Sequence, residues 1–220
     1  MTSAAISRRA RRGARPRRGD EREGAILDAA RRLLDEGSLA ELTVGRIAMA
    51  AGLPRSSLYF YFADKFEIFE ILLTEVFGQM ASETERWLAG EEHHADAWLR
   101  ASVAAAVTAG EANAGVIRAA TDNRAHPTIE RICRERFEQS VEQARLLIER
   151  DRRAGLAPTE GPSAGEIARA LMLMSEWSIH DLVTSGGGEA AAEALIETLT
   201  VMWARGVGSQ PAGAPSARAA

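Results

Sequence analysis

The chain's most chemically suggestive stretch is VGRIAMAAGLPRSSLYFYF, residues 44–62. Ala48 is small enough for a second helix to approach closely, Gly52 lies four residues on where a sharp turn is needed, and Leu58 follows six later as an apolar anchor. That spacing is what a helix-turn-helix requires, and it lets the second helix stand clear of the first and enter a major groove. Arg55, Ser56 and Ser57 open that second helix, where side chains reach base edges; an arginine there pairs naturally with guanine O6 and N7. Thr43 precedes the first helix of the pair, so its hydroxyl and the free amides beside it suit a phosphate. Tyr59 and Tyr61 can place hydroxyls on phosphates or a ring against a thymine methyl. Phe60 and Phe62 are expected to pack inward. On the plainer alternative, Arg55 is a solvated surface charge and the aromatics are ordinary core.

The elements that hold these groups read as helices. Ile26, Leu27, Ala30, Leu33 and Leu34 mark one stripe of a first helix that Asp20 can cap and Gly37 can stop. Thr43 begins a short second helix carrying Val44, Ile47, Ala48 and Ala51. Pro54 opens a third, predicted to run to about Phe60. Asp64 and Glu67 have capping-box spacing at the start of a long fourth helix containing Phe66, Phe69, Leu72, Leu73, Val76 and Met80. Further helices are predicted over 92–110, 112–122, 127–153, 162–185 and 189–206, with Gly110 among the expected breaks. No useful β-alternation occurs. The expected fold is all-α: an N-terminal three-helix helix-turn-helix DNA-binding domain and a larger C-terminal helical ligand-binding and dimerisation domain. The expected boundaries are a disordered basic arm at 1–19, the reader at 20–65, the body at 66–207 and a disordered tail at 208–220.

Charge follows this division. The net −4 over 220 residues is a +7 arm, a −2 reader and a −9 body. The arm carries Arg8, Arg9, Arg11, Arg12, Arg15, Arg17 and Arg18 and no acid; it can track phosphates or enter a minor groove, or it is an incidentally charged tail. Cys133 is the one cysteine, which excludes a disulfide scaffold and fits a reducing, cytoplasmic setting. The longest uncharged, mostly apolar stretch, 101–110, is too short to cross a bilayer. Arg8-Arg9 has no apolar region after it before Asp20, so it does not read as an export signal, although an Arg-rich, acid-poor start also resembles a transit peptide.

Catalytic patterns are weak. His93 and His94 stand with Glu91, Glu92 and Asp96, without HExxH spacing, and read as a solvated turn. His126-Pro127 and His180-Asp181 have no Ser or Cys nucleophile motif beside them. Cys133 lies among Arg131, Arg134 and Arg136, which could lower its pKa, or it is simply an inert helical cysteine. There is no Walker A motif and no GxGxxG. No enzyme, cofactor or metal site is expected.

Through Gly37, Thr43, Ile47-Ala48, Gly52-Leu53, Leu58-Tyr59, Tyr61-Phe62 and Lys65, the stretch from about Glu23 to Val76 resembles the DNA-binding domain of the TetR family of one-component transcriptional repressors. A similarity to its EthR-like subgroup runs further, through the Arg-rich arm, Ala25-Ile26-Leu27, Tyr59 to Phe62, Ala170-Leu171, Leu173-Met174, Trp98 and Trp203. The resemblance implies a homodimer on a palindromic operator of double-stranded DNA, released when a small hydrophobic effector fills a pocket and moves the fourth helix. It gives Lys65 a phosphate-contacting role. Family members also exist as activators or answer to a protein or redox signal, and a helical interaction module without DNA binding is the remote alternative. Pro54 departs from the family's frequent Ser or Thr and removes a capping oxygen.

In the body, Trp87, Trp98, Trp177 and Trp203 with Met172, Met174 and Met202 could simply fill core. By resemblance, Trp98, Met172, Ser175, Glu176 and Trp203 line a cavity, with Phe137 and Val141 on weaker grounds. The subgroup presents ligand-binding asparagines where this chain has Met172 and Ser175, which implies a less polar pocket. Segments 168–183 and 190–203 resemble the family's dimer helices, with Ile179, Leu182, Leu195, Leu199 and Met202 as the expected apolar contacts.

Overall fold

The computed structural model describes residues 18–88 and 95–208, all of whose regular structure is helical. The elements are α1 (Arg18–Glu36), α2 (Val44–Ala50), α3 (Arg55–Leu58), α4 (Lys65–Leu88), α5 (Ala95–Ala112), α6 (Ala114–Asp122), α7 (Pro127–Arg153), α8 (Ala164–Ser185) and α9 (Gly188–Val207). An all-α chain with an N-terminal helix-turn-helix unit and a larger helical body is therefore the architecture. Helix α1 already runs through Arg18 and Gly19, two residues inside the segment expected as arm, and Asp20 lies in its first turn rather than at its cap. Residues 1–17, the histidine turn at 91–94 and the tail from 209 lie outside the described residues, as does the side chain of Trp87.

The reader forms because its apolar spacing closes a three-sided core. Ile26, Ala30 and Leu34 of α1, Ile47 and Ala48 of α2 and Leu58 of α3 are essentially inaccessible to water. Asp64 caps α4, its Oδ1 accepting from the Phe66 and Glu67 amides at 2.8 and 3.0 Å. The Glu67 carboxylate reaches back to the Ala63 amide at 2.6 Å, one residue before the position a strict capping box uses. Ile68, Phe69, Leu72, Leu73 and Val76 of α4 continue the reader's core without a break into the body, where Val116, Ala119, Ile129 and Ile132 join the same cluster.

Helix α9 packs on α5 and α8, and α7 packs on α8. Gly110 does not break α5, which continues to Ala112. Its missing side chain serves packing instead: a Cβ there would lie 2.7 Å from Ile179 Cγ2 on α8. The break falls at Asn113, whose Nδ2 donates to Gln79 Oε1 at 3.0 Å and to the Ala109 carbonyl at 2.8 Å. Helix α8 opens with the Ser163–Glu166 capping box.

The burial pattern divides the expected dimer contacts into inward and outward side chains. Ile179, Leu182 and Leu199 face inward, in the core shared by α5, α8 and α9, and Leu195 is half-buried against it. Three of the five thereby pack within one chain, while Met202 is exposed. The large apolar side chains that these helices do expose are Leu173 and Trp177 on α8 and Val201 and Met202 on α9. Sequence periodicity marks an apolar stripe on each helix but does not say which stripe the protomer's own core uses.

Candidate DNA interface and ligand cavity

The turn between α2 and α3 closes through backbone alone. Gly52 has φ +68°, a left-handed conformation that its missing Cβ makes inexpensive. The Leu53 amide donates to the Ala48 carbonyl at 2.9 Å and the Gly52 amide to the Met49 carbonyl at 3.1 Å, the paired bonds of a Schellman ending. Thr43 is the N-cap of α2, its Oγ1 accepting from the Arg46 amide at 3.2 Å. Pro54 caps α3 with no side-chain bond. Ala48 and Leu58 are buried on α2 and α3, and Gly52 lies in the turn between them.

Helix α3 is shorter than expected, ending at Leu58 before a turn through Tyr61. Arg55, Ser56 and Tyr59 are exposed, while Ser57 and Tyr61 are half-buried. Arg55 Nη2 donates to the Tyr59 hydroxyl at 3.3 Å, so these two groups, one helical turn apart, form a single polar unit on the outer face. Phe62 is buried at 2% exposure, but Phe60, expected inside, is 86% exposed. Leu58 and Phe62 are four residues apart and share the inward face, which turns Phe60 outward. Lys65 Nζ donates to the Leu39 carbonyl at 2.8 Å, in the loop after α1. An ammonium has three N–H groups, so that bond leaves two for a phosphate.

In the body, six of the seven residues expected at the cavity (Trp98, Phe137, Met172, Ser175, Glu176 and Trp203) line one apolar space of about 210 Å³. Val141 is instead in the core between α7 and α8. Trp203 Nε1 donates to Ser175 Oγ at 2.9 Å, and Ser175 donates in turn to the Leu171 carbonyl at 2.9 Å. Glu176 accepts from Arg124 Nη2 at 3.0 Å, which matches those two charges of the wall. Sequence reasoning missed much of the remaining wall. Leu73, Val76 and Phe77 of α4 and Ile117, Ala120 and Thr121 of α6 carry no signal distinguishing a cavity wall from core.

Cys133 also reaches this cavity. Burial pushes its thiol pKa up, and the charge that opposes this is Arg124 rather than its sequence neighbours. Arg131 and Arg134 pair instead with Glu70, Glu135 and Glu130. Burial thus disfavours the thiolate, the form on which cysteine redox chemistry depends. Among the described residues no cluster of His, Cys, Asp or Glu is placed to hold a metal, and no helix is long and apolar enough to cross a membrane.

Contacts between reader and body converge on α4 and α6. Arg118 Nη2 of α6 donates to the Asp35 carbonyl of α1 at 3.4 Å. Arg31 of α1 pairs with Glu75 of α4 at 3.0 Å. The Phe66 ring, at the start of α4, stacks on His126 with centroids 4.1 Å apart.

Known proteins share this arrangement. Residues 26–72 match the family described as bacterial regulatory proteins, tetR family, and residues 99–208 match the C-terminal domain of the transcriptional regulator EthR. The HTH-type transcriptional regulator EthR of Mycobacterium tuberculosis (strain ATCC 25618 / H37Rv) is 33% identical over 213 residues, covering 92% of this chain and 96% of that protein. Its counterpart in Mycolicibacterium smegmatis is 28% identical over 217 residues, covering 97% and 99%. Among solved structures, the transcriptional regulator FadR from Bacillus subtilis in complex with stearoyl-CoA superposes with a TM-score of 0.70 at 17% identity, covering 83% of this chain and 98% of that one.

Proposed function

The chain belongs to the TetR family of bacterial transcriptional regulators, in its EthR-like branch, and from that premise we propose that it is a homodimeric, cytoplasmic repressor released from a palindromic operator by a small lipophilic effector. The family is one of DNA-binding regulators rather than enzymes. The observation that carries the ligand-release reading is that Leu73 and Val76 belong at once to the core that α4 shares with the reader and to the wall of the cavity.

Two readers must engage successive major-groove faces about 34–36 Å apart. Arg55 and Tyr59 read the operator, with Ser56, Ser57 and Tyr61 beside them. Thr43 and Lys65 hold phosphates, and the arginine arm adds sequence-independent affinity. The exposed row of Leu173, Trp177, Val201 and Met202 is the apolar surface on α8 and α9 that a second copy would cover.

Effector filling the cavity presses on α4 and α6, changing the angle between the two readers. It acts only to the extent that it binds the released state more tightly than the DNA-bound state. The test of the DNA-binding part is anisotropy of a labelled duplex from the region upstream of the protein's own gene. Wild type should prefer it to scrambled DNA, and the double variant Arg55→Ala, Tyr59→Ala should lose that preference. Equal binding by wild type and variant would refute it.

A further inference from the structure

Ser102 lies on α5, is 9% exposed and lines the cavity. Its Oγ is buried and has no hydrogen-bond partner. Serine and threonine in a helix interior ordinarily turn the hydroxyl back to a carbonyl one turn earlier, and several here do so. Ser175 donates to Leu171, Thr121 to Ile117 and Thr200 to Ile196. Asn113, the other buried polar residue among those described, has its amide donors taken up by Gln79 and Ala109. A buried hydroxyl left without a partner costs free energy, and an interior does not keep one without a compensating contact.

Several of the cavity's other polar groups have partners, and Ser140 and Gln143, also in its wall, are only half-buried. Ser175 has committed its proton and accepts from Trp203. Thr121 Oγ1 bonds the Ile117 carbonyl and faces His180 Nδ1 at 3.3 Å. Arg124 is matched by Glu176. Arg136 donates to Gln139 on the exposed side of α7. Ser102, by contrast, holds an uncommitted O–H donor beside Leu99 and Val103, apolar residues of the same wall.

We infer that Ser102 is a specificity-determining residue of this cavity, and that its hydroxyl donates to an acceptor oxygen of an uncharged, lipophilic carbonyl compound such as a ketone, ester or amide. This rests on the cavity being the effector site. A carboxylate would give up its hydration in the apolar wall around Ser102, and Arg136, a guanidinium of the cavity bonded to the neutral Gln139, stands on α7 and not on the helix of Ser102. A pure hydrocarbon fills the volume but leaves Ser102 unpaired.

The experiment compares methyl heptyl ketone with its methylene isostere, in which C=CH2 replaces C=O, on full-length wild type and Ser102→Ala. Affinities come from tryptophan fluorescence, and the carbonyl stretch of the bound ketone comes from infrared difference spectra. The expected result is that Ser102→Ala weakens the ketone by about three- to tenfold, the range of one neutral hydrogen bond, and leaves the isostere unchanged. In wild type the bound carbonyl band lies below its position in alkane, and in the variant it returns to it. The melting temperature of the unliganded variant should not fall, since the hydroxyl it removes makes no hydrogen bond within the protein. An unchanged ketone-to-isostere ratio, an unshifted band in wild type, or equal weakening of both probes would overturn the inference while leaving the cavity as effector site. If neither probe binds either protein, the effector-site reading falls and this inference falls with it.

Discussion

Gly115 of α6 sits so close to the end of α1 that a Cβ placed on it would lie 2.5 Å from the Leu34 carbonyl oxygen. The Asp35 amide nitrogen and carboxylate would each be 2.6 Å away. Two residues further on, Ile117 faces the cavity, followed by Ala120 and Thr121. A single nine-residue helix therefore touches the reader at one end and the cavity along its side. Interiors this tightly packed transmit a displacement because there is little void to absorb it.

The variant Gly115→Ala tests that proximity. Its new methyl meets backbone, which cannot rotate away, so overpacking should cost about 1–3 kcal/mol. The expected outcome is a lower urea midpoint together with weaker operator binding in the absence of ligand. Normal stability and normal affinity would mean that α1 and α6 do not need to lie so close.

Arg55 and Tyr59 act as a pair. Removing Arg55 should cost about 1–3 kcal/mol of discrimination against the wrong base, read as the ratio of operator to scrambled-duplex affinity. Tyr59→Phe keeps the ring but frees the guanidinium, and should lower the same ratio by less. Phe60, 86% exposed, should tolerate replacement by alanine without loss of fold stability.

A test of the proposed dimer separates the inward from the outward row on α8 and α9. Leu173→Glu combined with Met202→Glu should give a monomer by sedimentation velocity, with helicity retained. Leu182→Ala should leave the dimer intact and lower stability by about 2–5 kcal/mol, as expected of a buried leucine. The reverse pattern would restore Ile179, Leu182 and Leu199 as the interface.

The arginine arm makes a salt prediction. Deleting residues 1–17 removes six arginines and leaves α1 whole. Binding should weaken for every sequence, and the slope of log affinity against log salt should flatten by about 0.9 for each phosphate that the arm no longer neutralises. Preference for the operator over scrambled DNA should persist.

Cys133 supplies a pH test. Its folded-state pKa is raised by burial, so the native protein disfavours the thiolate. Its contribution to stability is present below the unfolded-state pKa, about 8.5, and is lost as pH rises above it. Iodoacetamide at pH 8 should label the native protein far more slowly than the urea-unfolded chain, and DNA binding by the wild type should be as indifferent to peroxide as that of Cys133→Ser.

Local features carried the reader into view at the level of sequence. Ala48, Gly52 and Leu58 have roles set by one turn, so their spacing alone identifies them. The cavity aromatics were reached through resemblance, because Trp98 and Trp203 as residue types suit a core equally well. Gly110 shows where periodicity misleads: a glycine admitting a neighbouring helix looks the same in sequence as one that ends its own. Ser102 sits in an alanine-rich, uncharged stretch and carries no signal at all, since its importance lies in lacking a partner, which only three-dimensional placement reveals.

The coupling between cavity and reader is the central claim, and one titration tests it most directly. Anisotropy of the operator duplex should be titrated with full-length protein, with and without methyl heptyl ketone at a concentration shown by tryptophan fluorescence to saturate the cavity. Coupling between sites of this kind is worth about 1–3 kcal/mol, so operator affinity should fall between about 5- and 150-fold, and operator DNA should weaken the ketone by the same factor. An operator affinity that does not change when the cavity is full would contradict it.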